Sequence, residues 1–236
     1  MSNPYFKFKE FTVFHDKCAM KVGVDGVTLG VWADVSDAKT ILDVGCGSGL
    51  IALVLAQRSD ARITAIDIDK NSVIQTKENV ENTIWKDRIR VIHASFQRFI
   101  DNNPEEFDLI VSNPPFFINS LKNSDANRTL ARHNESLTHL DLICGSIKML
   151  SDTGKIALIL PVVEGEQFVV LAEKQGLFCT KKTTIFPNPE KSAKRLLLEF
   201  RRDCKDCIET DLTIEKVRNV YTPEYAGLVK DFYLKL

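Results

Sequence analysis

From residue 40 onward, short β-branched runs alternate with longer stretches whose apolar residues recur at three- and four-residue spacing. A chain patterned this way folds into a parallel sheet covered by helices on both faces. The strands fall at 40–46, 62–68, 89–94, 107–113 and 154–161, and helical spacing marks 50–59, 70–83, 136–150 and 164–175. Two further β-rich runs, 180–186 and 195–202, are separated by only eight residues, too few for a crossover helix. They predict a hairpin, so the expected fold is α/β: a doubly wound, mostly parallel sheet of seven strands with an antiparallel edge hairpin. Thr222, Pro223 and Glu224 combine an N-cap, a first-position proline and a first-turn acid, which predicts a short helix near the end.

The 236 residues are 44% hydrophobic and 27% charged, enough apolar material for a core without disulfide or metal staples. Charged residues begin at Lys7, followed by Lys9 and Glu10, and no apolar run approaches the roughly 20 residues that span a bilayer. A cytoplasmic protein with reduced cysteines and no membrane contact is expected, with a monomer favoured. Of the six cysteines only Cys204 and Cys207 stand in C-x-x-C spacing, and no second ligand pair lies near them, so no metal site is expected. Lys and Arg total 31 against 32 acids. Nucleic-acid binding would therefore rest on local patches rather than on net charge.

The first strand runs into Asp43, Val44, Gly45, Cys46, Gly47, Ser48 and Gly49, directly before the first helix. An open α/β sheet places its nucleotide site there, and glycines let the backbone approach a ligand closely. The spacing is G-x-G-x-G, and Leu50 stands where a dinucleotide fingerprint needs its third glycine, which argues against a nicotinamide cofactor. Asp67, 22 residues after Gly45, ends the second strand and can grip ribose hydroxyls; Asp69 is the alternative. These residues resemble the class I S-adenosylmethionine-dependent methyltransferases, whose first motif is similar to Asp43–Gly49. The resemblance implies a Rossmann-like class I methyltransferase fold and S-adenosyl-L-methionine as cofactor. It also implies adenine contacts near Ala94, Ser95 and Phe96.

The fourth strand ends in Asn113, Pro114, Pro115, Phe116 and Phe117. An exocyclic amine is a poor nucleophile because its lone pair is delocalised into the ring. If the Asn113 side-chain oxygen and the Pro114 carbonyl each accept one N–H, the nitrogen can pyramidalise toward a methyl donor, and the positive charge it gains is stabilised. Proline's locked φ fixes the direction of that carbonyl. Phe116, with Phe117 beside it, would stack on the target ring, once that base has been unstacked. The catalytic set is thus Asn113, Pro114, Pro115 and Phe116.

This motif resembles that of amino-methyltransferases acting on adenine N6, cytosine N4, guanine N2 or glutamine N5. Together with Phe6–Phe11, Cys18–Gly26, Leu29, Gly30 and Trp32, it resembles the bacterial valine-tRNA adenine-N6 methyltransferases, which modify adenine 37 beside the anticodon. That resemblance extends to Tyr221–Tyr225 and Phe232–Leu234. It implies tRNA as partner and puts Lys21, Gly23, Asp25 and Gly26 close to the cofactor. It also implies one methyltransferase domain over 1–236, with a closing segment at 1–39, a catalytic core at 40–202 and an extension at 203–236. Ribosomal RNA guanine, a release-factor glutamine, or adenosine binding without catalysis remain as alternatives.

Residues 174–205 hold nine Lys and Arg against three acids. Lys191, Lys194 and Arg195 from this run, and Arg128 and Arg132 from the long stretch after Phe117, are candidate RNA contacts.

Overall fold

The computed structural model describes residues 3–114, 137–203 and 206–236. Its centre is an eight-stranded sheet. Ahead of it stand a hairpin, β1 (Tyr5–Lys7) and β2 (Thr12–Phe14), and helix α1 (Val24–Trp32). The chain then alternates through β3 (Thr40–Val44), α2 (Leu50–Arg58), β4 (Arg62–Asp67), α3 (Lys70–Glu81), β5 (Ile89–His93), α4 (Phe96–Asn102) and β6 (Phe107–Ser112). Helix α5 (His139–Met149), β7 (Leu150–Pro161), α6 (Val162–Lys174), β8 (Phe178–Phe186), β9 (Arg195–Arg201) and β10 (Ile208–Thr213) follow. A small pair, β11 (Glu215–Val217) and β12 (Val220–Tyr221), precedes α7 (Pro223–Val229).

Across the sheet the order is β10-β8-β9-β7-β6-β3-β4-β5. Strands β3 to β7 run parallel, β9 is antiparallel to both β7 and β8, and β10 is parallel to β8. The doubly wound sheet and the β8–β9 hairpin are as the sequence predicts. The count is not: residues 208–213 form an eighth strand outside β8, so the hairpin is covered rather than terminal. Ile208–Asp211 are exposed and only Leu212 is buried, so β10 lacks the apolar alternation that would announce a strand.

Period-two alternation divides the core between the two faces. Ile41 of β3 packs with α1, α2 and α7 on one face, while Leu42 and Val44 pack with α4, α5 and α6 on the other. Fully buried side chains such as Leu42 and Leu53 each contribute roughly 1.5–3 kcal/mol. Helix α1 was not apparent from sequence because Gly26–Trp32 are all buried, leaving no polar face to set a period. Its glycines are contact points. A Cβ at Gly26 would come within 2.9 Å of Leu50 Cδ2, and one at Gly30 within 2.8 Å of Val54 Cγ1, so their absence lets α1 lie close on α2. Helix α4, also unanticipated, starts at Ser95, whose hydroxyl accepts the Arg98 N–H at 3.3 Å. Helix α7 begins as expected, with Thr222 Oγ1 accepting the Tyr225 N–H at 3.2 Å.

Candidate active site

The chain turns from β3 into α2 through Gly45, Gly47 and Gly49, all in the left-handed region at φ 75°, 57° and 78°. The Gly45 and Cys46 amides donate to the Ile66 carbonyl at 2.9 and 3.0 Å, which pins the loop against the end of β4. Helix α3 supports it from beneath: Thr76 Oγ1 donates to the Gly47 carbonyl at 2.7 Å, and Asn79 Nδ2 to the Ser48 carbonyl at 2.8 Å. A Cβ at Gly45 or Gly47 would meet nothing within 4 Å, so both backbones face open space. That space is a cavity of about 540 Å³ at the carboxyl ends of β3, β4 and β6, where the strand order reverses.

The structure brings most of the anticipated cofactor residues into the walls of this cavity. Lys21, Gly23, Asp25 and Gly26 come from the entry to α1, Gly45 and Gly47 from the loop, Asp67 from β4, Ser95 and Phe96 from the start of α4, and Asn113 from the end of β6. Cys18, Met20 and Leu137 also line it and were not anticipated. No spacing rule points to residues that reach the site only through the fold.

Two anticipated residues stand behind the wall. Asp43 is wholly buried; its Oδ2 accepts the Ala52 N–H at 3.1 Å, and its Oδ1 has no partner among the described residues. Burial pushes its carboxyl up to about 7, against the opposing Ala52 bond and with help from the charge of Asp67. Gly49 is the N-cap of α2 and abuts Thr76.

The two candidate ribose acids are separated by their bonding. Asp69 caps α3, accepting from the Ser72 N–H and Oγ–H at 2.9 and 2.8 Å, and these bonds lower its pKa. Asp67 accepts from the Gly47 N–H and the Asp69 N–H, both at 2.8 Å; burial raises its pKa although both bonds oppose the rise. A carboxylate has about four acceptor sites, so Asp67 retains capacity toward the cavity.

At the end of β6, Ser112 Oγ donates to the Val44 carbonyl at 2.8 Å, tying this strand end to that of β3. Asn113 follows, and its buried Oδ1 has no partner among the described residues. A buried amide oxygen left without a donor costs about 1–3 kcal/mol, and this one borders the cavity. Pro114 is buried beside it. Pro115, Phe116, Phe117, Arg128 and Arg132 lie outside the described residues.

Most of the basic run has structural partners. Lys181 Nζ lies 4.4 Å from the Trp32 ring centroid, Lys182 pairs with Glu209 at 2.9 Å, and Arg201 with Glu199 at 3.1 Å. Arg202 donates to the carbonyls of Ile147 and Leu150. Arg195 Nε donates to Asp25 Oδ2 at 2.7 Å, joining β9 to the cavity wall. Lys191 and Lys194 stay exposed, in the β8–β9 loop at the same sheet edge as the cavity. Cys204 lies outside the described residues, and Cys207 Sγ stands 3.6 Å from Cys179 Sγ.

Comparison with known proteins agrees with this geometry. The family model for the methyltransferase small domain matches residues 33–166. A protein of Trichodesmium erythraeum (strain IMS101) named tRNA1(Val) (adenine(37)-N6)-methyltransferase is 49% identical over 238 residues, spanning 100% of both chains. A protein of the same name from Bacteroides thetaiotaomicron is 44% identical, again over 100% of both. Among solved structures, a predicted O-methyltransferase, Atu636 from Agrobacterium tumefaciens, superposes with a TM-score of 0.68 at 19% identity, covering 88% of this chain and 96% of its own. The 16S rRNA N2 G1207 methyltransferase of T. thermophilus superposes at 0.58 and 18% identity, covering 84% of this chain and 50% of its own. These last two likenesses are of fold.

Proposed function

The chain belongs to the family of tRNA1(Val) (adenine(37)-N6)-methyltransferases, and on that premise we propose that it moves a methyl group from S-adenosylmethionine to N6 of adenine 37 in a valine tRNA. The observation that carries the reading is the Asn113 Oδ1, buried in the wall of the glycine-loop cavity and without a donor among the described residues.

The residues present suit the cofactor. Gly45 and Gly47 leave room for close backbone approach, Asp67 retains acceptor capacity for ribose hydroxyls, and Ser95 and Phe96 border the far side for the adenine. When bound, S-adenosylmethionine supplies an electrophilic methyl on a sulfonium. Asn113 Oδ1 and the Pro114 carbonyl accept the two N–H groups of the target amine, turning its lone pair out of the ring plane. Both acceptors hold the N–H groups while positive charge grows on nitrogen, and the methylated nitrogen then gives up one proton to solvent, so no strong general base is needed. Phe116 stacks on the target base, and Lys191 and Lys194 meet RNA phosphates. The tRNA substrate places the reaction in the cytoplasm, and among the described residues no helix is long and apolar enough to cross a membrane.

The test is to incubate the protein with labelled S-adenosylmethionine and unmodified tRNA, digest to nucleosides and identify the product by mass spectrometry. Label in N6-methyladenosine, mapped to position 37, is expected. Label found instead in a release-factor glutamine or ribosomal guanine keeps the chemistry and overturns the substrate, and no label anywhere favours a binding module.

A further inference from the structure

A second hollow, of about 400 Å³, adjoins the cofactor cavity. Its size falls within the roughly 300–1,000 Å³ of ligand sites. Gly23 and Val24, at the entry to α1, line both, so the two share a wall. Val22 and Val27 extend that wall around the start of α1, and the remainder is built by the two ends of the chain. Phe6 and Lys7 come from β1, Tyr221 from β12, and Tyr233 and Lys235 from the segment after α7.

These ends are fastened together. The Lys9 amide donates to the Phe232 carbonyl at 2.9 Å, Lys9 Nζ donates to the Lys230 carbonyl at 2.6 Å, and Phe8 forms an antiparallel bridge with Tyr233. Three aromatic rings are thereby gathered, with the Tyr233 centroid 5.8 Å from Phe6 and 6.0 Å from Tyr221. Phe6 remains 39% exposed, Tyr221 is half-buried and Tyr233 is buried beneath them, so Phe6 offers the open ring face; Lys7 and Lys235 are both exposed. Neither the glycine loop nor Asn113 requires this construction.

Aromatic faces accept unstacked bases of any sequence, and ammonium groups beside them meet the phosphates that such bases carry. A purely apolar ligand would leave Lys7 and Lys235 unused, whereas a single-stranded nucleotide engages rings and charges together. We propose that the hollow is a second base subsite, holding an unstacked nucleotide of the same RNA loop that presents the target adenine. The inference rests on the tRNA reading above and adds how the loop is held open beside the chemistry.

Single 4-thiouridines placed through the anticodon loop of a tRNA transcript provide the test, by photo-cross-linking to the full-length protein and peptide mapping. A cross-link to the peptide containing Phe6, Tyr221 or Tyr233 is expected. Phe6→Ala should weaken tRNA binding about tenfold, with loss of that cross-link, while cofactor affinity is unchanged. Phe6→Tyr should restore both, which a folding defect in the alanine variant does not explain. Lys7→Gln with Lys235→Gln should flatten the dependence of tRNA affinity on salt. A wild-type protein that methylates tRNA yet cross-links only elsewhere, and is indifferent to Phe6→Ala, overturns the subsite alone. A wild-type protein that neither binds nor methylates tRNA overturns both the subsite and the reading beneath it.

Discussion

Asp67 Oδ2 accepts the backbone N–H of Gly47 across 2.8 Å, so the acid at the end of β4 and the middle glycine of the loop after β3 are held as one unit. The bond orients the carboxylate along the cavity wall and fixes the loop in its left-handed turn. Asp69, two residues on, is committed to the first turn of α3 through Ser72. Spacing alone leaves these two acids equivalent, and bonding separates them.

Asp67→Ala should therefore raise the dissociation constant for S-adenosylmethionine by about 10- to 100-fold, as expected for loss of a charge-assisted bond to ribose. Asp69→Ala should leave that constant unchanged and lower unfolding free energy by about 1 kcal/mol, the usual loss for an N-cap. Isothermal titration calorimetry and urea denaturation of both variants check this. The reverse pattern would move the ribose grip to Asp69.

Asn113→Ala should lower kcat by about 10²–10³-fold, the loss typical when a preorganised polar group facing developing charge is removed. Cofactor affinity should fall much less, because in the proposed mechanism the Asn113 oxygen meets the substrate amine rather than the cofactor. Single-turnover methylation beside calorimetry separates the two quantities. Equal losses in both would make Asn113 part of the cofactor wall only.

The two glycines flanking Ser48 should respond differently to the same methyl group. Gly49→Ala puts a Cβ 2.7 Å from Thr76 Cγ2 at φ 78° and should cost about 2–4 kcal/mol in stability from backbone strain and overpacking. Gly47→Ala meets nothing within 4 Å, so only the left-handed backbone is strained, at about 1–2 kcal/mol. Its methyl group borders the cavity, so cofactor binding should suffer far more than folding. Thermal melts with and without cofactor distinguish the cases, and equal melts for the two variants would contradict the loop geometry.

What was legible in sequence was what local periodicity and spacing encode. Strand β3, the glycine loop, α2 and Asp67 followed from an apolar run, three glycines and a fixed distance, and Thr222 with Pro223 announced α7. Helix α1 was hidden because from Gly26 on it is buried all round and shows no polar face, and because its Gly26 and Gly30, where it meets α2, resemble helix breakers. Strand β10 was hidden because its first four residues face solvent. The pairing of Arg195 with Asp25 joins positions 170 residues apart, which no local rule reports. The glycine motif located Asp43 beside the site without telling on which side of the wall its carboxyl lies.

That buried carboxyl gives a pH dependence of determinate sign. Burial raises Asp43 in the folded protein from 3.8 to about 7, so between those values the native state keeps a proton that the unfolded chain has released. Because the native state then binds more protons, this group's contribution to stability falls as pH rises, by about 1.4 kcal/mol per unit, and levels off above pH 7. The whole excursion is at most about 4 kcal/mol. Asp43→Asn is neutral at every pH and keeps an oxygen for the Ala52 N–H. Its stability relative to the native sequence should therefore increase steadily from pH 4 to 7 and remain constant beyond. Asp67, also raised by burial, is present in both proteins, so its own slope largely cancels in the difference and leaves only the change made by removing its repulsion with Asp43. Urea unfolding of both proteins at pH 5, 6, 7 and 8 measures this, and parallel curves would mean that Asp43 is ionised in the fold and balanced by a charge-stabilising partner.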